Sequence, residues 1–559
     1  MAKIVKTKKK GIKGRSFSSG GSSVETSPLR PKQISKIPPC ISNCPNHNRI
    51  REALMTVSRA KALEKPYEQA LEEAAYIFLE TTPFLSTCGR VCPHPCETDC
   101  NRTALEAPVG VNSFERFLGD FALEKKLVPK MLTDVKRSEK IAIIGSGPAG
   151  MTCAYHLARR GYPVTVFEAF PKSGGMLRYG IPDYRLPQSV LDAEMQRILD
   201  LGVELKLNTK IGLDISMDDL RKEYKSIFIG IGAHKGLKLR VDGEDAENVW
   251  TGTDFLRRVN MEEKVDIGNK VVVIGGGDTA IDAARVSRRL GAEATILYRR
   301  TREEMPAIDE EIEGALEEGV EIVYLAAPIA IQSDNGTAKS MTCQRMELGE
   351  PDSSGRRRPV PIEGDTYELE FTTLIAAISQ APDFTGFEAL IEGRDWIKID
   401  DNCKTKLDDT YSGGDNINLG LAVQAIAQGR LAAEAIHGAI TGEKVETPEQ
   451  AKILYEKMYL PFYEKLERTG IDAIPVEERF QSIDAEIVKT WSEEKAIGEA
   501  KRCMSCGECF ECGNCWSLCQ DNAVIKPLVK GEKYKFKLDY CNGCKKCSEN
   551  CPCGYLEMH

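Results

Sequence analysis

The sequence predicts an α/β protein built from two doubly wound domains with parallel sheets, the second inserted in the first, and flanked by two small cysteine-rich domains. Three observations predict this architecture. A glycine-rich strand–turn–helix signature starts at Lys140, another starts at Lys270, and 17 of the 20 cysteines lie near the two ends of the chain. A length of 559 residues is enough for several domains.

Composition and charge restrict the class of protein. The net charge is −9, yet residues 1–36 hold ten Lys or Arg and one Glu among many Ser and Gly, so residues 1–37 are predicted to be a disordered basic arm. No apolar run is long enough for a membrane span, and no signal peptide is recognisable. Tight cysteine runs beside nucleotide-binding signatures favour metal clusters in a reducing, cytoplasmic compartment. No nucleic-acid motif is present.

The first glycine signature predicts a Rossmann-like site for a dinucleotide, interpreted as FAD. Gly145, Gly147 and Gly150 have the G-x-G-x-x-G spacing, and a helix is expected to begin just after them. Its free N–H groups, with Pro148 and Ala149 in the turn, face the phosphates. A second strand ends at Glu168, where a carboxylate can bind ribose hydroxyls.

The same FAD domain is predicted to comprise residues 138–260 and 365–445. Residues 227–233 and 410–415 each indicate a strand that ends in a turn of small residues, where a cofactor can approach the backbone. A helix over about 421–436 would point its N-terminus at the flavin ring, next to Gly414, Asp415 and Ala422. For Asp415 the alternative is a simple helix N-cap.

Residues 261–364 are predicted to be an inserted NAD(P)-binding domain. After an apolar strand, Gly275, Gly277 and Ala280 give the G-x-G-x-x-A variant, and Asp278 and Thr279 begin the helix. The next strand ends in Arg299 and Arg300 rather than in an acid. Guanidinium groups there favour the 2′-phosphate of NADPH over NADH, although arginines paired to Glu303 or Glu304 would be purely structural.

The N-terminal cysteines predict a helical iron–sulfur domain over residues 38–137. A close ladder of cysteines, two of them followed by proline, is typical of cluster ligation, whereas zinc sites usually separate their cysteine pairs by a defined loop. The six cysteines are Cys40, Cys44, Cys88, Cys92, Cys96 and Cys100.

The C-terminal residues 501–559 carry the most specific pattern, two C-x2-C-x2-C-x3-C runs of a ferredoxin-like domain with two [4Fe-4S] clusters. The fourth cysteine of each run is expected to serve the other cluster. One predicted set is Cys509, Cys512, Cys515 and Cys551, and the other is Cys541, Cys544, Cys547 and Cys519. Lysines between the runs are interpreted as a solvated edge rather than a docking patch. Residues 446–500 are predicted to be a helical linker without chemistry.

Residues 38–445 closely resemble a known family. The segment Cys40–Phe117, the flavin signature and the motif Gly174-Gly-Met-Leu-Arg-Tyr-Gly-Ile-Pro-Asp-Tyr-Arg-Leu-Pro187 are similar to the small subunit of glutamate synthase and to the N-terminal part of dihydropyrimidine dehydrogenase. The resemblance implies two [4Fe-4S] clusters beside FAD, or about four in the whole chain. It also implies flavin contacts at Gly175, Leu177, Arg178 and Asp415.

One departure from the family is informative. Its early Arg-Cys-x2-Cys element is absent before Cys40, and a matching element with Cys503 and Cys506 stands near the C-terminus. We hypothesise that this segment folds back, so that Cys503 and Cys506 join Cys40 and Cys100 at one cluster. The other cluster would then have the ligands Cys44, Cys92, Cys96 and Glu115, and Cys88 would be a spare thiol. The alternative makes Cys503 and Cys506 structural.

Together these cofactors predict an NAD(P)H:acceptor oxidoreductase, because flavin converts hydride transfer into the single-electron steps of clusters. The C-terminal ferredoxin domain resembles that of iron–sulfur flavoproteins associated with dissimilatory sulfite reductase, which implies a partner in sulfur metabolism. The alternatives are a glutamate synthase small subunit with its large subunit, a ferredoxin:NADP⁺ oxidoreductase, and a non-enzymatic cluster scaffold. A homo-oligomer is compatible with each.

Overall fold

The computed structural model describes residues 27–391, 396–443 and 450–559. Most of the predicted disordered arm, residues 1–26, lies outside this range. Its last part contradicts the prediction, because strand Pro31–Gln33 pairs antiparallel with strand Leu556–Met558 at the other end of the chain. The Lys36 side chain is buried and forms an ion pair with Glu557 at 3.1 Å. Long-range pairing therefore orders a segment whose composition alone indicates disorder.

The N-terminal domain is helical, as predicted. Apolar residues of its two longest helices pack around a core that also receives Trp491 and Ala496 from the far end of the chain. The helices are Pro39–Ser42, Ile50–Ser58, Tyr67–Leu79, Leu85–Val91, Pro95–Thr98 and Val111–Glu124, with a 3₁₀ turn at Asn101–Ala104.

The first α/β domain has a five-stranded parallel sheet, and its central strands are buried on both faces, as expected between helix layers. In spatial order the strands are Thr410–Ser412, Ser226–Ile229, Ile141–Ile144, Val164–Phe167 and Glu204–Lys206. The helices are Pro148–Ala158, Met176–Tyr179, Gln188–Leu199, Met217–Glu223 and Ala422–Thr441. A short 3₁₀ turn covers Glu388–Leu390.

The second α/β domain is inserted in the first, as predicted, but it is wider than residues 261–364. Its parallel sheet takes one edge strand from before this range and an inner strand from after it. In spatial order the strands are Glu321–Tyr324, Glu293–Tyr298, Lys270–Ile274, Thr373–Ala376 and Val249–Thr251. The helices are Gly252–Asn260, Asp278–Arg289 and Asp309–Glu317, with a 3₁₀ turn at Arg302–Glu304. Strands of three or four residues leave no periodicity from which to place a boundary.

Two further sheets belong to this region. A long antiparallel sheet has the three strands Ala326–Asp334, Thr337–Pro351 and Arg357–Glu370. Along the chain it lies between Glu321–Tyr324 and Thr373–Ala376, two strands of the parallel sheet. A two-stranded ladder joins Lys235–Gly236 to Gln380–Ala381. The loop between Pro351 and Arg357 forms the tip of the long hairpin and folds back toward the sheet of the second domain.

Residues 450–500 form an extended strap rather than the predicted helical linker. The strap contains 3₁₀ turns at Tyr455–Lys457, Leu460–Phe462 and Val476–Phe480, and a helix only at Glu493–Ala500. It crosses all three preceding domains. The Ile487 N–H donates to the Tyr184 carbonyl at 3.1 Å, and Arg479 pairs with Glu318 at 3.3 Å. These contacts replace the internal hydrogen bonds of a helix.

The C-terminal domain is small. It has helices Asn514–Ser517 and Lys546–Glu549, a hairpin of strands Val524–Ile525 and Lys535–Phe536, and a 3₁₀ turn at Leu538–Tyr540. Throughout the described part of the chain, no helix combines the length and apolar character needed to cross a membrane.

Candidate nucleotide and iron–sulfur sites

A cavity of about 550 Å³ opens at the carboxyl ends of the strands in the first α/β domain. This is where doubly wound sheets bind ligands. Ten of the twelve residues predicted to contact FAD line it. They are Gly145, Gly147, Pro148, Ala149, Glu168, Gly175, Leu177, Gly414, Asp415 and Ala422.

The three glycines of the signature have the different roles that the spacing predicts. A Cβ on Gly145 or Gly150 would overlap backbone of neighbouring strands and turns, so both serve close packing. A Cβ on Gly147 would meet nothing nearer than the Gly175 Cα at 3.9 Å, and it would project into the cavity. The phosphates of a dinucleotide therefore have access to the backbone at Gly147 and to the N-terminus of helix Pro148–Ala158.

The two charged residues of the predicted set behave differently. Glu168 is buried at the cavity and accepts hydrogen bonds from the Ser146 and Phe170 N–H groups, both at 2.9 Å. Arg178 does not line the cavity. Its guanidinium pairs with Asp192 and with Gln188, so we assign it to the support of this loop rather than to contact with the flavin.

Other wall residues come from turns that the sequence indicated only as small-residue segments. Gly230, Ile231 and Gly232 follow strand Ser226–Ile229, and His234 closes the wall against Phe170. Burial lowers the pKa of His234 to about 4, so this imidazole is neutral at pH 7. Burial raises the pKa of Asp415 to about 6.

A second cavity, of about 670 Å³, occupies the corresponding position in the inserted domain. The predicted residues Gly275, Gly277, Asp278, Thr279, Arg299 and Arg300 line it. A Cβ on Gly277 would reach only the Pro306 Cγ, at 3.8 Å, which repeats the open position of Gly147. The sixth signature residue, Ala280, lies behind the turn, completely buried.

The arginines at this cavity have separate environments. Arg300 is buried, where it pairs with Asp352 at 2.7 Å and donates to the Arg357 carbonyl at 2.6 Å. Arg299 is exposed and lines the cavity. The hairpin tip brings a further arginine, Arg356, to the same wall. Arg356 could not be found from the sequence, because it is 57 residues from Arg299 and the tip is brought there by tertiary contacts, among them the Arg300–Asp352 and Arg357–Glu304 pairs.

The two cavities share a wall. Gln380 lines both, and the backbone of Leu419 and Gly420 passes from one to the other. The orientation of the two domains is fixed next to this wall, because Tyr184 and Arg185 of the first domain bind the buried Asp282 of the second at 2.9 and 2.8 Å. The two nucleotide cavities are therefore adjacent, with the relative orientation of their domains fixed by buried contacts.

One group of potential cluster ligands lies inside the helical domain. Burial raises the pKa of Cys44, Cys92 and Cys96, and the nearby Glu115 carboxylate raises each of these pKa values further. Burial, with Glu194 and Glu97 nearby, raises the pKa of Glu115 to about 8. Cys88 lies next to this group but packs with Phe84 into the core of the FAD domain.

A second group joins the two ends of the chain. Burial raises the pKa of Cys40, and the neighbouring Cys503, Cys100 and Cys506 thiols raise it further. The fold-back expected from the sequence is therefore present in the backbone.

Buried arginines hold this returning segment in place. Arg502 is 1% exposed, pairs with Glu499 at 2.5 Å, and donates to the Pro108 and Ala107 carbonyls at 3.0 and 2.7 Å. From the other side, Arg51 donates to the Cys506 carbonyl at 2.8 Å. The Arg-Cys-x2-Cys element is thus anchored by its own arginine.

The ferredoxin-like domain contains two small cavities, one for each predicted ligand set. The inner cavity is lined by Cys509, Cys512, Cys515 and Cys551, together with Cys553 and with Cys547 of the other set. The outer cavity is lined by Cys519, Cys541, Cys544 and Cys547. Each cavity thus brings the first three cysteines of one run together with the fourth cysteine of the other, and their ligation of clusters stays a prediction.

The side chains fit iron–sulfur clusters by the chemistry of their donors, since thiolates are the usual ligands of such clusters. For a single metal ion, no group of three or more His, Cys, Asp or Glu is suitably spaced in residues 27–391, 396–443 and 450–559. The ligands of a cubane surround four iron atoms instead of one.

Comparison with known proteins agrees with this description. The pyridine nucleotide-disulphide oxidoreductase family matches residues 139–429, which is more than half of the chain, and the family described as dihydropyrimidine dehydrogenase domain II, 4Fe-4S cluster, matches residues 32–127. These matches cover the two nucleotide cavities and the N-terminal cysteine groups.

Three relatives are similar over most of the chain. The NADP(+)-dependent formate dehydrogenase subunit beta of Moorella thermoacetica is 36% identical over 84% of this chain and 70% of its own. The glutamate synthase [NADPH] small chain of Escherichia coli is 34% identical over 71% of this chain and 88% of its own. The NADPH-Fe(3+) oxidoreductase subunit beta of Geobacter sulfurreducens is 41% identical over 62% of this chain but only 51% of its own, so the matched region spans about half of that relative.

The cavities and the comparisons lead to the same cofactors. The matched family has the two nucleotide-binding folds seen here, and the cysteine-rich domains carry the ligands for [4Fe-4S] clusters. FAD, NADP(H) and [4Fe-4S] clusters are therefore the cofactors of this protein, which is an iron–sulfur flavoprotein oxidoreductase. The chain belongs to the pyridine nucleotide-disulphide oxidoreductase family.

Proposed function

We propose that this protein transfers electrons between NADPH and a partner protein, using FAD and four [4Fe-4S] clusters. The observation that carries the proposal is the wall that the two nucleotide cavities share at Gln380. FAD supplies the chemistry that joins two-electron hydride transfer to the one-electron steps of clusters. The chain contributes alignment, because Tyr184 and Arg185 fix the inserted domain on Asp282.

Preference for NADPH is assigned to Arg299 and Arg356. Both line the second cavity, and neither is part of the buried pair that Arg300 makes with Asp352. Two guanidinium groups on one wall suit a 2′-phosphate, which takes charge-assisted hydrogen bonds from both sides. Arg300 holds the hairpin tip through Asp352. Its role is thus structural, which was one of the two alternatives for the arginines that follow this strand.

Four ligand sets follow from the cysteine groups. In the helical domain we assign Cys44, Cys92, Cys96 and Glu115 to one cluster. The fold-back group, Cys40, Cys100, Cys503 and Cys506, is assigned to the second. The ferredoxin-like domain holds the remaining two, with the sets that line its inner and outer cavities. The proximity of these groups supports the assignment.

The order of the last clusters is restricted by the chain itself. Cys503, Cys506, Cys509, Cys512 and Cys515 follow one another at intervals of three residues. Three residues span at most about 11 Å, so the fold-back cluster and the inner ferredoxin cluster must be neighbours. Tyr463 of the strap lies between them, since its surroundings include Cys503, Cys506, Cys512 and Cys553. Electrons are thus expected to leave or enter through the outer cluster.

The partner is a separate part of the proposal. Relatives named as formate dehydrogenase and glutamate synthase subunits support a role as one subunit of a larger redox assembly. Dissimilatory sulfite reductase, a large synthase subunit and ferredoxin are the three partners inferred from the sequence resemblance. Anaerobic co-purification distinguishes them, because each would be recovered as a different protein with NADPH-linked activity.

The proposed function is tested by cofactor content and by reduction. Anaerobically purified protein is expected to contain about 16 iron atoms per flavin, which corresponds to four cubanes. NADPH should then bleach both the flavin and the iron–sulfur absorbance. For the fold-back cluster, a Cys503→Ala/Cys506→Ala variant should lose about four iron atoms, whereas a Cys153→Ala/Cys343→Ala control should lose none. Unchanged iron in the first variant would reject this ligand set.

A further inference from the structure

The outer ferredoxin cluster lies under a surface that differs from the rest of the chain in charge. Residues 516–546 hold seven lysines and three acidic residues, a net charge of +4 on a chain whose net charge is −9. Two of these lysines are used inside the molecule, because Lys530 pairs with Glu64 and Lys533 pairs with Glu508.

Lys545 and Lys546 stand at the mouth of the outer cavity. Both line it together with the ligand candidates Cys541 and Cys544, and both side chains are exposed. In the described part of the chain neither ammonium group has a carboxylate partner. The positive charges of Lys545 and Lys546 therefore do not stabilise the fold through ion pairs, and they are available to a binding partner.

Apolar side chains accompany the lysines. Leu518, which is 37% exposed, also lines the outer cavity, and Tyr540, which is 64% exposed, immediately precedes Cys541. The Lys537 ammonium lies over the Tyr540 ring, 5.7 Å from its centroid. An exposed cysteine ligand, an aromatic ring and a rim of lysines together resemble the centre and rim of a protein interface.

We infer that the surface formed by Leu518, Lys537, Tyr540, Lys545 and Lys546, here named the outer-cluster face, docks a redox protein whose own docking face is acidic. The inference rests on the proposed function, because it gives the partner class for the same electron path. Opposite charges steer a transient redox complex and orient it, and the apolar centre excludes water between the cofactors. It replaces the sequence-based interpretation of this region as a solvated edge.

An acidic ferredoxin with two [4Fe-4S] clusters is the probe for this face. The assay follows NADP⁺ reduction by the reduced ferredoxin under anaerobic conditions. Two reduced ferredoxins each lose one electron, and NADP⁺ gains both electrons with one proton from solvent. Reduced methyl viologen serves as a second donor, because a small molecule needs no docking face.

The decisive variant is Lys545→Glu/Lys546→Glu, and its matched control is Lys225→Glu/Lys264→Glu, which reverses two exposed lysines of the nucleotide-binding domains. We expect the KM for ferredoxin to rise about tenfold in the first variant and to stay unchanged in the control. The viologen rate should be the same in all three proteins. In the wild type, the ferredoxin rate should fall steeply with ionic strength.

The outcomes separate the two proposals. An unchanged KM in Lys545→Glu/Lys546→Glu overturns the docking inference, and so does a wild type that accepts viologen electrons but shows no salt-dependent reaction with ferredoxin. A wild type that cannot reduce NADP⁺ with viologen overturns the proposed function itself. If the KM for ferredoxin rose equally in the control variant, the net charge of the protein would explain the effect. That result would also reject the outer-cluster face as the docking site.

Discussion

At the scale of single residues, the protein distinguishes glycines and arginines that support a site from those that face a ligand. Gly147 and Gly277 are open to their cavities, whereas Gly145, Gly150 and Gly275 are packed against backbone. Arg299 and Arg356 line the NADPH cavity, whereas Arg178 and Arg300 are held by Asp192 and Asp352. Only the members that face a cavity are expected to change cofactor binding directly.

The FAD cavity gives the first test. A Gly147→Ala variant should fold normally, because the φ of Gly147 is −70° and its Cβ would meet no protein atom nearer than 3.9 Å. The added methyl group should displace the cofactor and weaken FAD binding by about 1–3 kcal/mol, which raises the Kd roughly five- to 150-fold. Flavin content after dialysis measures this. Gly498→Ala, on an open helix surface, is the control, and equal flavin loss in both would contradict the assignment.

The NADPH cavity gives the second test. Arg356→Ala should lower kcat/KM for NADPH by about ten- to a hundredfold, which is the worth of a charge-assisted hydrogen bond, and leave kcat/KM for NADH unchanged. Steady-state assays with NADPH and with NADH measure the two values of kcat/KM. Arg302→Ala is the control, since Arg302 pairs with Asp309 and Glu313 outside the cavity. A parallel fall with both nucleotides would mean that Arg356 does not bind the 2′-phosphate.

At the scale of secondary-structure elements, the helix Glu493–Ala500 and the turn after it bring the C-terminal cysteines back to the N-terminal domain. The Glu499 carboxylate accepts from the Gly110 N–H at 2.7 Å and the Thr469 N–H at 2.9 Å, and it pairs with Arg502. A buried ion pair with all its partners satisfied is costly to break by removing one member.

Loss of this anchor should release the fold-back cluster. Arg502→Ala leaves the buried Glu499 without its cation and Glu106 with Arg102 alone. We therefore expect a destabilisation of about 3–5 kcal/mol and a loss of about four iron atoms per chain. Iron analysis and thermal unfolding measure the two effects. Lys501→Ala changes the exposed neighbour and should retain all iron. Full iron content in Arg502→Ala would show that the segment is held by other contacts.

The strap residue Arg479 joins a second buried network in the inserted domain. Burial of Glu318 would raise the pKa of this carboxyl, but hydrogen bonds and charge from Arg285 and Arg289 outweigh burial and lower it to about 2. A depressed pKa in the folded state stabilises the protein above the unfolded pKa of about 4.3, and this contribution is lost as pH falls toward 2.

A pH series therefore tests the network. Glu318→Gln should be about 3–5 kcal/mol less stable than the wild type at pH 7, and the gap should narrow progressively below about pH 4.3. Urea unfolding at several pH values measures it. Glu317→Gln, with a side chain that is 56% exposed, should show almost no gap at any pH. A gap that is constant from pH 7 to pH 3 would contradict the assignment.

At the scale of the whole molecule, the chain forms a path from the nucleotide cavities to the outer-cluster face. The helical domain shares its core with Val423, the neighbour of the cavity residue Ala422, and with Cys40, Cys92, Cys100 and Cys503 at its edge. The contiguous segment from Cys503 to Cys515 continues the path into the ferredoxin-like domain.

Loss of the fold-back cluster should separate the flavin from the ferredoxin-like clusters, so that electrons no longer pass between them. In Cys503→Ser/Cys506→Ser, NADPH should still bleach the flavin, whereas the ferredoxin-like clusters should stay oxidised on the time scale of wild-type reduction. Anaerobic stopped-flow absorbance and paramagnetic resonance follow the two halves separately. A Cys403→Ser variant, which removes a buried thiol outside every cysteine group, should behave as the wild type. Normal reduction of all clusters in the double variant would show another route.

The sequence by itself determined the two nucleotide-binding folds, with the second inserted in the first, and it predicted which cysteines of the two ferredoxin runs lie at the same cavity. Glycine signatures and C-x2-C runs can be recognised in a sequence because the residues that form each turn or cysteine run lie close together in the chain at fixed spacing. A comparison of motifs even indicated the return of Cys503 and Cys506 to Cys40, although no local pattern required it.

Tertiary structure decided the rest, because those features join residues far apart in the chain. Arg356 reaches the NADPH cavity through the Arg300–Asp352 pair, and Arg178 turns away from the flavin toward Asp192. Strand Pro31–Gln33 pairs with Leu556–Met558 at the other end of the chain, and the strap is held by contacts to the three domains that it crosses. Such partners are chosen by packing in three dimensions, which spacing along the sequence does not record.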